Sequence, residues 1–306
     1  MAAGMSDLHT LLRTTLPPSV RAEIGPGNLP RLVVKTRAGR AEIYFQGAHV
    51  TAWQPASASE PVLWMSGKSY YEFGKPLRGG VPICFPWFGA HASDATAPGH
   101  GFGRLRDWNL IEAAETAEGV VTLALELASD KALTPLWPHA FRAVHRITIG
   151  NTLTMALEVT NPGAEAFTVE EALHTYFAVK DVRNVTVTGL EQVDYLDKVS
   201  GFDRKNQGGD PIRFTGETDR VYLNTTATCV IHDPGARRRI AIRKTGSDAT
   251  VVWNPWIAKA RAMPDFGDDE WPEMVCVETC NVNVHARKLA PGASHTMTAI
   301  IEVQGE

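Results

Sequence analysis

Residues 274–282 have the sequence MVCVETCNV, a β-favouring segment in which Glu278 is the only charged side chain. Successive residues of a strand face opposite sides, so Glu278 shares one face with Cys276 and Cys280. A carboxylate in such a segment is either a strand-end acid paired with an arginine or a general base held in a pocket. Its position alone leaves both interpretations open.

A second segment, EEALHTYFAV at residues 170–179, has a similar composition and carries His174 at its centre. An imidazole and a carboxylate can give and take protons at the two ends of one reacting group. The two segments together therefore favour the catalytic interpretation, a proton-transfer site formed by His174 and Glu278.

The rest of the chain from residue 32 onward is a succession of similar segments, rich in Val, Ile, Thr and aromatic residues and separated by turns such as NPG at 161–163. They are LVVKT, AEIYFQ, AHVTAW, VVTLALEL, RAVHRITIG, LTMALEVTN, FTVEEALHTYFAV, VTVTGL, TCVIHD, RIAIRK, ATVVWN, MVCVETC and TMTAIIEV. No strand–helix alternation repeats, which argues against a parallel α/β sheet. The sequence predicts an all-β fold, a large antiparallel β-sandwich that forms one catalytic domain over residues 31–306.

Residues 1–30 are predicted to form a short N-terminal helical extension. Within it, residues 6–24 suggest an amphipathic helix with Ser6 as the N-cap and with leucines at helical spacing, namely Leu8, Leu11, Leu12 and Leu16. The two prolines at 17–18 end its first part. Such an extension would cover a sheet edge or mediate self-association.

Two long segments, residues 67–107 and 253–273, interrupt the strand pattern. Both are dense in Gly, Pro, Trp and Phe and are too apolar for disordered linkers. We expect them to be ordered loops that line a site.

The composition is that of an ordinary globular enzyme. The 306 residues carry a formal net charge of -4, 21% are charged and 44% are hydrophobic. No basic domain is present, and the only basic cluster, RRR at 237–239, follows a turn, so no nucleic-acid partner is expected. No apolar run of about 18 residues and no signal-peptide core occurs, which predicts a cytoplasmic protein with no membrane partner. The cysteines form no CxxC pair and are predicted to be reduced, mostly buried thiols.

The sequence lacks the motifs of nucleotide binding, metal binding and serine nucleophiles. The sequence has no GxxxxGK[ST] loop, no HExxH or CxxC metal-ligand pair and no GxSxG nucleophile elbow. A metal site would need His91, His100 and His174 to converge in space, and we predict no metal.

The first long loop holds the best anion-binding candidates. Arg78 and Arg104 are accompanied by glycines that let the backbone approach a ligand, and the planar guanidinium suits phosphate oxygens. Arg106 is expected to pair with Asp107. Most tryptophans belong in the core, and Trp256 in WNPW is the best candidate for a wall against a sugar ring.

Seven motifs in chain order resemble the hexose-6-phosphate mutarotase branch of the aldose 1-epimerase family. They are QGAHVTAW, LRGGVPICFPWFG, HGFGRLRDW, EEALHTYF, GETDRVY, WNPW and DFGDDEWPEMVCVE, and they extend over roughly residues 45–282. The resemblance implies a galactose-mutarotase-like β-supersandwich, a site in a cleft on the concave face of one sheet, and no cofactor. It implies an isomerase that interconverts the α and β anomers of a hexose 6-phosphate, with glucose 6-phosphate as the expected substrate.

The resemblance also implies the roles of the reacting pair, with His174 as general acid and Glu278 as general base. An acid that is protonated at neutral pH should have a pKa near or above the ordinary histidine value of about 6.5. We expect Asp219 or Glu171 to supply the negative charge that keeps it there.

The remaining site residues follow from the same resemblance. Arg78, His100 and Asp219 match the positions that contact sugar hydroxyls. Arg104, together with Arg78 and Gln46, matches the positions that hold the phosphate.

Two other functions stay open on the sequence alone. A glycoside hydrolase would need a second carboxylate beside Glu278, and Asp219 is the candidate. A non-catalytic sugar-phosphate sensor would use His174 and Glu278 as hydrogen-bonding groups only.

We expect the protein to be a monomer.

Overall fold

The computed structural model of the protein describes residues 8–305. Its α-helices are α1 (Leu8–Leu11) and α2 (Trp256–Ala262). Its strands are β1 (Val20–Ile24), β2 (Pro30–Lys35), β3 (Gly39–Tyr44), β4 (His49–Pro55), β5 (Ile83–Cys84), β6 (Asn109–Glu115), β7 (Val121–Ala128), β8 (Arg142–Ile149), β9 (Thr152–Thr160), β10 (Phe167–Val169), β11 (Glu171–Leu173), β12 (Tyr176–Ala178), β13 (Thr186–Thr188), β14 (Asp194–Asp197), β15 (Asp203–Asn206), β16 (Ile212–Arg213), β17 (Thr218–Tyr222), β18 (Cys229–Asp233), β19 (Arg238–Thr245), β20 (Ala249–Asn254), β21 (Met274–Asn281), β22 (Arg287–Leu289) and β23 (Ser294–Gly305).

The strands form two large sheets and two small ones. The nine-stranded sheet has the order β16-β13-β18-β19-β23-β9-β8-β7-β6, and the eight-stranded sheet has the order β15-β14-β17-β20-β21-β11-β5, with β12 also paired to β21. Strands β1 to β4 form a third sheet, and β10 pairs with β22. All of these strand pairs are antiparallel. The predicted all-β antiparallel fold is confirmed.

Burial distinguishes the two large sheets. In β9 of the nine-stranded sheet, buried and partly buried residues alternate, as expected for a strand with one face on the core. Strand β21 of the eight-stranded sheet is buried along its whole length. Both of its faces are therefore covered, which makes it suitable for holding a side chain in a shielded pocket.

The predicted helix over residues 6–24 is wrong for most of its length. Helix α1 covers Leu8–Leu11, and residues 20–24 form β1, which pairs with β2 from Val20 opposite Val34 to Ile24 opposite Pro30. Helix α1 already ends at Leu11, because Leu12 bridges Leu110 of β6 and the Arg13 N–H donates to the Leu110 carbonyl at 2.9 Å. The prolines at 17–18 disfavour a further helix, and the edge of β2 offers backbone partners that an extended segment satisfies. Ser6 lies outside the described residues, and the domain boundary at residue 30 stays a prediction.

The segment 167–179, predicted as one strand, is divided into β10, β11 and β12. Strands β11 and β12 pair with β21 in one continuous register, with Leu173 opposite Thr279 and Tyr176 opposite Cys276. His174 lies in the gap between them, where its backbone N–H donates to the carbonyl of Pro82 at 3.0 Å. The unbroken register places His174 across from Glu278.

Two further predictions concern the chain as a whole. All four cysteines are free and buried, as predicted. Within residues 8–305, no helix is long and apolar enough to cross a membrane.

Candidate active site

A pocket of about 250 Å³ opens on the eight-stranded sheet. It is lined by Arg78, Phe88, His100, Arg104, His174, Lys198, Asp219, Val251, Trp253, Lys259, Met263 and Glu278. Three neighbouring strands supply its floor, because Asp219 on β17 pairs with Trp253 on β20, and Val251 on β20 pairs with Glu278 on β21. The two long loops supply most of the rim, as the sequence predicted.

The pair at the centre of the pocket is His174 and Glu278. His174 Nε2 lies 3.4 Å from Glu278 Oε1. Tyr176 stacks on the imidazole at 4.8 Å between ring centroids and an interplanar angle of 11°, which fixes the plane of the ring. Within residues 8–305, neither Glu278 oxygen has a hydrogen-bond partner, nor does His174 Nδ1. Buried polar atoms without partners are costly, so the Glu278 carboxyl group is arranged to meet a ligand.

Burial and nearby cations set the protonation of this pair. Burial raises the pKa of Glu278 well above its ordinary value, with Lys198 opposing the rise. Burial, together with Arg104 and Arg78, holds the pKa of His174 well below 6.5. Both shifts favour the uncharged forms of the two side chains.

The predicted pKa of His174, near or above 6.5, is thus wrong. The two carboxylates expected to supply negative charge have other partners. Glu171 accepts a hydrogen bond from Asn281 at 2.8 Å and lies 3.3 Å from His295. Asp219 is 3.0 Å from Lys198. Cations dominate the surroundings of the imidazole.

Among the four cations of the lining, Arg104 differs from the others. Arg78 is bound to Asp265 at 3.1 Å, Lys198 to Asp219 at 3.0 Å, and Lys259 to Glu217 at 2.9 Å.

Arg104 has no carboxylate partner within residues 8–305. It donates from Nη2 to the carbonyl of Gly99 at 2.7 Å, and its Nε has no acceptor. Burial lowers its pKa. Arg104 is therefore the guanidinium most in need of an external anion.

His100 is held by an unusual backbone. It has a φ of 63°, and at the following Gly101 a Cβ would lie 2.0 Å from the carbonyl oxygen of Phe85. The His100 ring lies 5.8 Å from that of His174, and its Nδ1 accepts from the backbone N–H of Gly89 at 3.3 Å. Neutral His100 consequently carries its proton on Nε2 and can donate it to a ligand oxygen.

Two sequence-predicted residues are not brought into the pocket. Gln46 is buried and bonds to the backbone of a turn, donating to the Lys75 carbonyl at 2.8 Å and accepting from the Gly74 N–H at 2.8 Å. Trp256 packs on Trp271 with ring centroids 4.2 Å apart. Trp253 supplies the aromatic surface of the lining instead.

The lysines of the lining, Lys198 and Lys259, were not identified from the sequence. Lys198 follows β14 in a turn, and Lys259 belongs to α2. A lysine in a polar turn has no local signal that distinguishes a pocket residue from a solvated one. Lys198 could have been placed in the pocket only from the pairing of β14 with β17.

A metal site would need His91, His100 and His174 to converge, and only His100 lies beside His174, with ring centroids 5.8 Å apart. His91 packs edge-on against Trp87 instead. Within residues 8–305, one group of potential metal ligands exists, formed by His174, Cys276 and Glu278 with ligand atoms within 4.8 Å of one another. Because Arg104, Arg78 and Lys198 face the same pocket, its field favours an anion over a cation.

Known proteins are similar to this chain in sequence and in fold. The family model described as aldose 1-epimerase matches residues 30–302. A protein of Cenchrus ciliaris, provisionally named glucose-6-phosphate 1-epimerase, is 37% identical over 278 residues, which is 87% of this chain and 83% of that protein. A protein of Salmonella typhimurium with the same provisional name is 39% identical over 252 residues, 82% of this chain and 83% of that protein.

A solved structure agrees with these matches. The crystal structure of YeaD from Salmonella typhimurium, provisionally described as a mutarotase, superposes with a TM-score of 0.89 at 34% identity and covers 95% of this chain and 96% of that one. The family match spans nearly the whole described chain, including every residue of the pocket. The chain therefore belongs to the aldose 1-epimerase family.

Proposed function

We propose that the protein is an isomerase that interconverts the α and β anomers of a hexose 6-phosphate, with glucose 6-phosphate as the substrate. The observation that carries the proposal is the buried His174–Glu278 pair beside Arg104, a buried guanidinium without a carboxylate partner among residues 8–305. Family membership and the names of the relatives support the same reaction and substrate.

The reaction needs one proton removed and one delivered. Glu278 takes the proton of the C1 hydroxyl while His174 protonates the ring oxygen, so the ring opens to an aldehyde. Rotation about C1–C2 and closure on the other face, with the two roles reversed, gives the other anomer. A well-placed acid or base contributes about 10²–10⁴ in rate. His174 and Glu278 supply both groups.

The phosphate prepares the pair for this step. Burial, together with Arg104 and Arg78, lowers the pKa of His174. A phosphate dianion bound at Arg104 offsets that positive charge, which raises the pKa of His174 and also that of Glu278, because Arg104 acts on both groups. Bound substrate thereby makes His174 easier to protonate, as its role of general acid requires, while Lys198 opposes the rise in the pKa of Glu278.

The remaining lining residues bind and orient the sugar. Arg78, His100 and Asp219 contact its hydroxyl groups, and Trp253 takes the place predicted for Trp256 as the apolar wall. Asp265 and Tyr176 tether the Arg78 guanidinium, with the Tyr176 hydroxyl 3.0 Å from Nη1, so Arg78 suits a fixed contact. The phosphate is assigned to Arg104.

The proposal is tested by saturation-transfer NMR of glucose 6-phosphate, which measures the exchange between its two anomers. Wild-type protein should accelerate this exchange in proportion to its concentration. Binding without acceleration would contradict the proposal and favour a sugar-phosphate sensor. Release of reducing sugar from oligosaccharides would favour a glycoside hydrolase, although the Asp219 carboxylate needed there is held by Lys198. The monomeric state and the cytoplasmic location stay predictions.

A further inference from the structure

Lys198 occupies a position that strand pairing determines. It follows β14, which pairs with β17 so that Asp197 lies opposite Arg220, next to Asp219. The Asp197 side chain accepts from the Val199 N–H at 3.2 Å and holds the turn. The ammonium group lies 3.0 Å from Asp219 Oδ2 and 5.3 Å above the ring of Phe88. Two independent contacts thus fix it over the pocket.

The negative charge of Asp219 opposes the ionisation of Glu278, the proposed catalytic base. Asp219 and Glu278 line the same pocket, and like charges in one site oppose each other's ionisation. Lys198 is the only partner in an ion pair with Asp219 within the described residues.

The other groups that act on Glu278 do not duplicate this role. They are His174, Arg104, Cys276, Cys280, Cys84 and Tyr176. His174 takes part in the proton transfer, Arg104 is assigned to the phosphate, and the remaining four carry no positive charge.

We propose that Lys198 is a positioning residue for proton transfer, which neutralises Asp219 so that Glu278 can ionise beside it. The inference rests on the proposed function and deepens it. Lys198 offsets the charge of Asp219 in addition to its direct effect on Glu278, and it is not assigned to the phosphate. Its loss would leave two carboxylates in one pocket without this cation and would raise the pKa of Glu278.

The test is the pH dependence of kcat for glucose 6-phosphate anomer exchange. In Lys198→Met, the acidic limb of the kcat profile should move to higher pH by about one unit. At any pH on that limb, kcat should therefore be about tenfold lower than in wild type. Lys198→Arg should keep the wild-type profile. The double variant Lys198→Met with Asp219→Asn should return the limb toward wild type, because the opposing charge is gone.

Two controls distinguish an effect through Asp219 from a general loss of positive charge and from direct phosphate binding. Lys180→Met removes a lysine that pairs with Glu60 outside the pocket, and it should leave the profile unchanged. Calorimetric titration with inorganic phosphate should give the same affinity for Lys198→Met and wild type. Thermal unfolding checks the fold of each variant, with Lys198→Gln as the substitute should Lys198→Met fail to fold.

The contradicting outcomes are distinct. A loss of phosphate affinity in Lys198→Met with an unmoved pH limb would make Lys198 a phosphate ligand and overturn the inference. An unmoved limb with unchanged affinity would overturn it as well, and so would a double variant whose limb stays shifted. An inactive wild-type protein would contradict the proposed function itself, which the direct exchange assay detects separately.

Discussion

At the scale of residues, the pocket concentrates charge where water is largely excluded. His174 and Glu278 lie 3.4 Å apart, and the side chain of Glu278 is only 1% exposed. Burial and cations together set the pKa of both groups. Burial, Arg104 and Arg78 lower the pKa of His174, while burial raises the pKa of Glu278 and Lys198 and Arg104 oppose that rise. An anion bound near these cations would therefore shift the pKa of both groups.

Arg104→Ala tests the phosphate assignment. Removing charge-assisted hydrogen bonds worth about 1.5–3 kcal/mol should raise KM for glucose 6-phosphate roughly 10- to 100-fold. Anomer exchange of free glucose should change far less, because that sugar has no dianion to bind. Equal losses for the two sugars would contradict the assignment. Both rates can be measured by the same NMR exchange experiment.

At the scale of elements, two loops bring the arginines together, and Gln46 braces them. Its side chain bonds to the turn at residues 74–75 that precedes Arg78, and its backbone bridges Asp107 in the loop that carries Arg104. The next residue, Gly47, has a φ of 78°, and a Cβ there would lie 3.1 Å from the backbone of Arg104. Gln46 can thus affect the phosphate site without touching it.

Gln46→Leu should consequently weaken the binding of the substrate by the two loops. We expect KM for glucose 6-phosphate to rise about 3- to 10-fold with a smaller change in kcat. The reason is that the lost contacts of Gln46 contribute a free energy of about one net hydrogen bond. Gln54→Leu is a matched control, because Gln54 donates to the Ala58 carbonyl away from the pocket. Steady-state exchange rates over a range of substrate concentrations measure both variants. Similar KM values for Gln46→Leu and wild type would rule out the brace.

Elements also show what the sequence could predict. Short β-favouring segments predicted most strands, and the isolated Glu278 and His174 pointed to a pair that the structure places 3.4 Å apart in one pocket, because both signals are local. The position of residues 20–24 depends on the free edge of β2, and the division of residues 167–179 depends on pairing with β5, β21 and β22. Those are long-range contacts, which propensity does not encode.

The direction of a side chain is equally non-local. Gln46 and Trp256 lie in motifs of the site, but one bonds to a backbone turn and the other packs on Trp271. The low pKa of His174 results from burial in the folded protein and from Arg104 and Arg78, which are distant in sequence. Lys198 has no motif of its own and enters the pocket through the pairing of β14 with β17.

At the scale of the whole molecule, buried histidines link stability to pH. Burial lowers the pKa of His145 to about 4, and its Nδ1 lies 3.1 Å from the carbonyl oxygen of Ala48. The unfolded chain, with an ordinary pKa of about 6.5, binds more protons between these values. The stabilising contribution of neutral His145 is therefore present above pH 6.5 and is lost as the pH falls toward 4.

His145→Asn tests this linkage with a side chain that does not titrate. The difference in free energy of unfolding between wild type and variant should shrink by about 2 kcal/mol from pH 7 to pH 5. Denaturant titrations at both pH values measure it. A difference that is independent of pH would show that His145 is not held neutral in the folded protein.

The most direct test of the central claim is the glucose 6-phosphate anomer exchange rate of Glu278→Gln, His174→Asn and the double variant, measured by NMR saturation transfer beside wild type. If the two side chains form one proton-transfer unit, each single variant should lose nearly all of the acceleration and the double variant should lose little more. Calorimetry should show that all three still bind the sugar phosphate. Substantial acceleration by either single variant would contradict the claim.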